Sequence, residues 1–396
     1  MRIGVYLGSY LPQEGGGFVF EETLICGLLN SKTNNEYVIF YTGNSTIKSN
    51  NKIVFESIKQ TLAKKIFKKI LRFLISILPF HIPLLDNQAK SELNKAIKKY
   101  SIDLVWFPTP IYERVDTPYI YTLWDFGHRL YPYFPEVSAS GQIWGERESY
   151  YQNVLPNASV VITGAEVGKK DIVNMFQIPA KSIKVVPLPV SSYITINKLN
   201  QLADKNKFPK RYLFYPAQFW AHKNHIVLLL ALKILIDEYR INFHLILTGS
   251  DKGNKKYIEQ KVGELNLKKY VHFMGFVSQD ILISLYKNAF ALVFPTFFGP
   301  DNLPPLEAFS LGCPVLASNI PGAEEQLGDA ALLFNPIKER EIANLVKLLK
   351  EKPGLRRKLT TAGLKKVRNL TPEKYVTNID KIIDEFHKYQ RCWKDN

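Results

Sequence analysis

The segment with the clearest chemical content is 298–314, FGPDNLPPLEAFSLGCP. Asn302 is a typical N-cap residue, the two prolines after it suit a first helical turn, and Gly312 ends the helix. The unpaired amides of that turn favour an anion, and Glu307 can accept hydrogen bonds from two neighbouring hydroxyls. Phosphate beside a diol is the chemistry of a nucleotide, although an ordinary capped helix has the same pattern.

Two further segments have residue types that suit phosphate binding. Lys223 comes shortly after a predicted strand at 212–215, and its ammonium group is a candidate phosphate ligand. Gly15, Gly16 and Gly17 follow the first strand, and glycines permit a close approach of the backbone to a ligand. A solvated lysine and a flexible turn are the alternative interpretations.

Short apolar runs alternate with amphipathic segments along the chain, which is typical of parallel sheets covered by helices on both faces. The strands expected in the first half are 37–41, 104–107, 119–123, 160–163 and 183–186. Those expected in the second half are 212–215, 243–248, 271–273, 291–294 and 315–317. The stretch 187–209, rich in proline and polar residues, is interpreted as an exposed linker between two domains.

Composition limits the classes of protein to which the chain can belong. Its 396 residues, 46% of them apolar, suffice for two domains with separate cores. The three cysteines are scattered without metal-ligand spacing, so we expect no disulfide framework, no zinc site and a reducing cytoplasm. We find no export signal and no apolar run of about 20 residues that could span a membrane.

The net charge of +16 predicts an anionic partner. We find no nucleic-acid-binding motif, so a phosphorylated substrate and an acidic membrane are the remaining candidates. Segment 58–78 has apolar residues at helical spacing, with cations on the opposite face: Lys64, Lys65, Lys68, Lys69 and Arg72. Such a helix suits peripheral contact with an anionic bilayer, where each cation adds about 1 kcal/mol. A surface helix packed on its own domain has the same pattern.

Several motifs in order resemble those of the retaining glycosyltransferases of family 4 (group 1). The helix start LPPLE at 303–307 and the following GCPVLAS at 312–318 are similar to the signature of that family. YPAQFWAHKN at 215–224 resembles the segment that places a lysine on the donor pyrophosphate. Three shorter stretches also lie where that family has motifs: 247–250, 322–325 and 333–336.

The resemblance implies an α/β fold of the GT-B architecture, with two Rossmann-like domains facing each other across a deep interdomain cleft. Residues 1–195 would form the N-terminal, acceptor-binding domain and residues 196–371 the C-terminal domain that binds the nucleotide sugar. Residues 372–396 would form a helix that crosses back to the N-terminal domain.

The resemblance also implies a set of donor-binding residues, and the chain departs from the family pattern at two positions. The donor-binding residues are Gly16, Gly17, Gln218, Lys223, Asn302, Leu303 and Glu307. Gln218 stands where the family commonly has an arginine, and Gly299 stands where it has the first of two glutamates. We expect Asp301 and the amides of Asn302 and Leu303 to replace that glutamate, although Asp301 also suits a turn.

A loop at 124–129 lies where relatives have a His-Asp pair. Trp124 occupies the usual histidine position, so His128 is the candidate for contacting the transferred sugar or the acceptor. Asp125 would orient His128 or bind the acceptor directly. A histidine packed in the loop and an aspartate in a turn form the alternative interpretation.

The expected function is retaining transfer of a hexosyl group, with mannosyl as one option, from a GDP- or UDP-linked sugar without metal or cofactor. The acceptor would be a hydroxyl of a lipid-linked surface glycan, and the enzyme would lie peripherally on the inner face of the cytoplasmic membrane. A nucleotide-sugar 2-epimerase and a non-catalytic GT-B binding or scaffold protein are the alternatives.

Overall fold

The computed structural model describes residues 1–8, 15–42, 53–58, 92–138, 142–196, 208–299 and 301–392. Within them, the first sheet has the order β3-β2-β1-β4-β5-β6-β7, with every pairing parallel. Its strands are β1 (Arg2–Leu7), β2 (Glu36–Tyr41), β3 (Ile53–Ser57), β4 (Leu104–Phe107), β5 (Tyr119–Thr122), β6 (Val160–Thr163) and β7 (Ile183–Val185). The four residues of each of β4, β5 and β6 are all buried, because helices cover both faces of the sheet.

The second sheet has the order β10-β9-β8-β11-β12-β13 and is also parallel throughout. Its strands are β8 (Tyr212–Pro216), β9 (His244–Thr248), β10 (Val271–Gly275), β11 (Ala291–Phe294), β12 (Val315–Ser318) and β13 (Ala331–Phe334). The strand predictions are therefore confirmed, with ends that differ by one or two residues. The predicted turn at 333–336 overlaps the end of β13.

Helices connect the strands in both domains. The N-terminal half contains α1 (Gly16–Asn30), α2 (Glu92–Lys99), α3 (Gly127–Leu130), α4 (Pro135–Ser138), α5 (Gln142–Val154), α6 (Glu166–Phe176) and α7 (Ser192–Ile196). The C-terminal half contains α8 (His225–Asp237), α9 (Lys255–Glu264), α10 (Gln279–Asn288), α11 (Leu303–Ser310), α12 (Ala323–Leu327), α13 (Glu339–Glu351), α14 (Pro353–Val367) and α15 (Pro372–Gln390). None of the helices in the described ranges is long and apolar enough to cross a membrane.

The chain between the two sheets differs from the predicted exposed linker. Val190, Tyr193 and Ile194 are buried in the hydrophobic core of the second domain. The predicted boundary at residue 195 assigns them to the first domain, whereas their side chains pack with the strands of the second sheet. In the sequence these apolar residues are interspersed with polar ones, so no apolar run indicated a buried segment.

The last helix, α15, returns to the first domain. Tyr375, Val376 and Ile379 share a core with the strands β1 and β4. Thr371 caps the helix by accepting a hydrogen bond from the Lys374 amide. Gly27 of α1 leaves room for the start of α15, because a Cβ at Gly27 would lie 2.6 Å from the Pro372 carbonyl oxygen.

The structure does not test the membrane contact predicted for segment 58–78. The predicted membrane-contact residues Lys64, Lys65, Lys68, Lys69 and Arg72 lie outside the described residues.

Candidate functional site

A cavity of about 1010 Å³ lies between the two domains. The strand order reverses between β1 and β4 in the first sheet and between β8 and β11 in the second. Ligands of open parallel sheets bind beyond the carboxyl ends of the strands at such reversal points. The cavity lies at both of them, since its walls include residues that follow β1, β5, β8, β9, β10 and β11.

Lys223 lies in the cavity wall contributed by the second domain. It ends a 3-10 turn after β8, and Asn224, with φ of 54°, redirects the chain into α8. The Lys223 ammonium nitrogen is 5.5 Å from the Phe294 ring centre and makes no hydrogen bond or ion pair within the described ranges. Burial lowers the pKa of Lys223 to about 8, against the opposing effects of Asp125 and Glu136.

The predicted glycine loop and Gln218 also line the cavity. Gly16 and Gly17 begin α1, after Gly15 with φ of 78°. The Gln218 side chain donates to Ser250 Oγ at 3.2 Å and accepts from the Trp220 indole N–H at 3.0 Å. Gln218 therefore lies at the expected place, with its amide bonded to protein groups.

The segment before α11 contributes Asp301, Asn302 and Leu303 to the cavity wall. The Asn302 side chain donates to the Gly299 carbonyl at 2.6 Å instead of capping α11. The Asn302 amide donates to Gln326 Oε1, so among the expected amides only that of Leu303 lacks a partner in the described chain. Burial raises the pKa of Asp301 to about 7, with a further contribution from Glu325.

Glu307 is not among the residues that line the cavity, contrary to its predicted position. Its carboxylate is buried and accepts hydrogen bonds from the Ser191 hydroxyl and, at 2.8 Å, from the Tyr286 hydroxyl. The helix position was correct, but Glu307 faces the segment that joins the domains. Burial and Glu307 raise the pKa of both Tyr286 and Tyr193, and Tyr193 lines the cavity.

His128 is also displaced from its predicted role, because its side chain is fully buried and does not line the cavity. Its Nε2 lies 3.2 Å from Glu148 Oε2, and Glu148 also binds Arg129. Burial is the main cause that lowers the pKa of His128. The structure thus favours the packed histidine over a contact with sugar.

Asp125 lines the cavity but does not hydrogen-bond to His128. Its Oδ1 accepts from Arg147 at 2.8 Å and from the Gly127 amide at 2.7 Å. Burial acts to raise the pKa of Asp125, but Arg147 and the Gly127 amide outweigh it, so the pKa is lowered. Asp125 therefore orients Arg147, a residue that no local sequence pattern indicates.

The cavity is closed along one side by contacts between the domains. Glu136 of α4 accepts from the His222 amide at 2.8 Å and lies 2.5 Å from the His222 ring nitrogen Nδ1. The His222 ring stacks on Phe298 at 4.2 Å, and Phe298 stacks on Tyr131 of the first domain at 5.1 Å. None of these contacts was predicted, since each joins residues more than 70 positions apart.

No group of three or more His, Cys, Asp or Glu residues that could hold a metal ion occurs within the described ranges.

Comparison with known proteins finds similarity to sugar-transferring enzymes. The family model of glycosyl transferases group 1 matches residues 199–366. The O-antigen chain mannosyltransferase B of Escherichia coli is 29% identical over 206 residues, covering 51% of this chain and 54% of that protein. The O-antigen chain mannosyltransferase RfbU of Salmonella typhimurium is 29% identical over 193 residues, covering 49% of this chain and 51% of that protein. The chain thus spans about half the length of these curated relatives.

Solved structures resemble the whole chain. The sucrose-phosphate synthase of Thermosynechococcus elongatus has a TM-score of 0.71 at 16% identity, covering 98% of this chain and all of that one. WaaG, a glycosyltransferase involved in lipopolysaccharide biosynthesis, has a TM-score of 0.68 at 15% identity, covering 97% and 99%. These similarities establish a common fold. Residues 199–366 are thus similar to the glycosyl transferases group 1, and the two Rossmann-like domains form the GT-B fold.

Proposed function

We propose that this protein transfers a hexosyl group from a nucleoside diphosphate sugar to a hydroxyl of a lipid-linked surface glycan of the O-antigen type. The observation that carries the proposal is Lys223, an unpaired cation in the wall of a cavity between two Rossmann-like domains. The names of the relatives support a mannosyl group and an O-antigen acceptor. GDP-mannose is therefore the first donor to test, with UDP-linked hexoses as its competitors.

The chemistry needs positive charge where the diphosphate departs. Lys223 and the Leu303 amide are the groups proposed to meet the donor phosphates, because both line the cavity and neither has another partner in the described chain. A cation fixed there stabilises the negative charge that develops on the leaving nucleotide. Asp301, in the same wall, is proposed to contact the sugar hydroxyls.

Retention of the anomeric configuration and independence from metal are further parts of the proposal. The first follows from the resemblance to family 4 enzymes. The second is supported by the cations of the cavity, which supply charge that a divalent ion provides in other transferases. Proton NMR of the product reports the anomer, and transfer measured with and without EDTA reports the metal requirement.

The deciding experiment is a binding and transfer assay on the purified protein. GDP-mannose, UDP-glucose, UDP-galactose and UDP-N-acetylglucosamine are titrated by calorimetry and then incubated with a synthetic lipid-linked acceptor. Lys223→Met tests the site, and Lys358→Met on the exposed face of α14 is the matched control. We expect one nucleotide to bind selectively, with binding lost in the first variant and retained in the second.

The outcomes separate the alternative functions. Release of a free epimeric hexose without acceptor would identify a 2-epimerase. Absence of binding to every donor, by a folded protein, would favour a non-catalytic scaffold. Binding that survives Lys223→Met would contradict the assignment of Lys223 to the phosphates.

We also propose that the enzyme works peripherally on the inner face of the cytoplasmic membrane. The basic amphipathic pattern at 58–78 and the net charge of +16 support this location. Changing Lys64, Lys65, Lys68 and Lys69 to Glu should abolish co-sedimentation with anionic liposomes. The same four-residue change to Gln should have a smaller effect, and unchanged sedimentation of the Glu variant would contradict membrane contact.

A further inference from the structure

The cavity contains a second cation that comes from the other domain. Among the residues that line it, Lys223 and Arg147 are the ones with a lysine or arginine side chain. Lys223 follows β8 of the second domain, whereas Arg147 lies on α5 of the first. A nucleoside diphosphate sugar has a negative charge on each of its two phosphates, so a single lysine leaves one phosphate without a cation.

Arg147 is held in a fixed orientation. Its Nη2 donates to Asp125 Oδ1 at 2.8 Å and to the Tyr151 hydroxyl at 3.4 Å. The guanidinium carbon lies 5.7 Å from the centre of the Tyr151 ring. Asp125 is itself fixed by the Gly127 amide. A guanidinium fixed in this way loses little conformational freedom when it binds an anion.

Arg147 retains donors for a ligand. Its Nε and Nη1 make no hydrogen bond with any group in the described ranges, and its side chain is 27% exposed. Asp125 links the two cations electrostatically, because it bonds to Arg147 and is the carboxylate that most opposes the lowering of the pKa of Lys223 by burial. Both cations therefore interact with one carboxylate in the cavity wall.

We infer that Arg147 binds the sugar-linked phosphate of the donor, opposite Lys223, so that the bound diphosphate bridges the two domains. This inference rests on the proposed function. It assigns to the first domain a charged contact with the donor, in addition to its expected role in binding the acceptor. Arg147 thereby supplies the cation that Gln218, an uncharged side chain bonded to Ser250 and Trp220, does not.

The inference is tested by comparing nucleoside diphosphates with monophosphates. GDP, UDP, GMP and UMP are titrated by calorimetry into the wild-type chain, Arg147→Gln and Arg147→Lys, with the exposed Arg357→Gln on α14 as control. For Arg147→Gln we expect about a tenfold loss of affinity for the diphosphate, which is about 1.4 kcal/mol. We expect the affinity of Arg147→Gln for the monophosphate to fall less than about twofold. The diphosphate affinity of Arg147→Lys should lie between those of wild type and Arg147→Gln, and that of Arg357→Gln should equal that of wild type.

Each other outcome contradicts the inference in a recognisable way. Equal losses for diphosphate and monophosphate would mean that Arg147 only supports the fold of the cavity through Asp125. No loss for either would remove Arg147 from the site. If wild type binds no nucleotide, the proposed function itself fails. If Arg147→Gln does not fold, Arg147→Lys is the deciding variant, because we expect it to lose affinity for the diphosphate and to keep its affinity for the monophosphate.

Discussion

Lys223 places a largely buried positive charge in the cavity wall without a partner in the described chain, which costs stability. Its pKa of about 8 lies below the usual 10.5, so the unfolded chain holds the proton more tightly than the folded one. We expect Lys223→Met to raise the free energy of unfolding of the ligand-free protein at pH 7, by up to about 3 kcal/mol. Urea denaturation followed by fluorescence measures it.

The pH dependence of stability tests whether the buried charge of Lys223 destabilises the protein. The destabilisation by Lys223 is complete below about pH 8 and declines as the pH rises toward 10.5, where the unfolded lysine also loses its proton. The stability difference between wild type and Lys223→Met should therefore shrink from pH 7 to pH 9.5. Lys358→Met should have the stability of wild type at both pH values. A stability difference between wild type and Lys223→Met that stays constant with pH would contradict the buried-charge explanation.

The same pKa predicts how nucleotide binding responds to pH. If the charged ammonium binds phosphate, affinity for the nucleoside diphosphate should be constant below about pH 8 and fall above it. Lys223→Arg should keep its affinity to higher pH, because arginine remains protonated throughout this range. Calorimetric titrations between pH 7 and pH 9.5 measure both, and parallel curves for the two proteins would show that Lys223 is not the titrating group.

The sequence indicated which loops reach the cavity, but it did not indicate the direction of the side chains on nearby helices. Lys223, Gly16 and Leu303 reach the cavity because the ends of strands bring their loops there. His128 and Glu307 lie on short helices near the same cavity, but Glu148 and Ser191 draw them into the interior. Such partners are distant in sequence, and no local pattern indicates them.

At the scale of elements, the contact between α1 and α15 predicts how closely these two helices must pack. A Cβ at Gly27 would lie 2.6 Å from the Pro372 carbonyl oxygen and 2.8 Å from its carbon, so the start of α15 would have to move. We expect Gly27→Ala to lower the free energy of unfolding by about 1–3 kcal/mol, as overpacking commonly does. Thermal denaturation measures the loss.

Gly145 offers a matched control in another helix. It lies in α5, is exposed, and has no atom within 4 Å of an added Cβ. Gly145→Ala should leave stability unchanged or raise it by about 0.5–1 kcal/mol through helix propensity. If Gly27→Ala and Gly145→Ala have the same effect on stability, the packing of α15 on Gly27 does not limit the size of the side chain at that position.

Most elements could be predicted because buried parallel strands are short, apolar and bounded by turn residues. The segment around α7 could not, because it lacks periodicity, and its burial depends on two partners from different domains. Ser192 donates to Thr23 of α1, while Ser191 donates to Glu307 of α11. These contacts appear only once both domains are assembled.

At the scale of the whole molecule, the aromatic contacts across the cavity hold the two domains together. Phe298 contacts the rings of Tyr131 and Phe134 of the first domain, and such aromatic pairs are worth about 0.5–1.5 kcal/mol each. We expect Phe298→Ala to open the ligand-free protein, raising its radius of gyration in small-angle X-ray scattering. Tyr389→Ala, which removes an exposed ring on α15, is the control.

A ligand should reverse the effect in part, because a diphosphate that contacts both domains favours the closed arrangement. Addition of the nucleotide that binds in calorimetry should bring the radius of gyration of Phe298→Ala toward that of wild type. An unchanged radius of gyration in the ligand-free variant would show that these stacks do not hold the cavity closed.

The return of α15 to the first domain has a consequence for synthesis of the protein. Ile382 and Ile383 belong to the same core as Ile3 and Val5 of the opening strand. A ribosome that has completed the first sheet has therefore not yet supplied all of the side chains that cover it, and the second domain must emerge in between. The core of the first domain is therefore complete only after residues 372–390 have been translated, and a premature stop codon before residue 372 would leave both sheets encoded but the first sheet only partly covered.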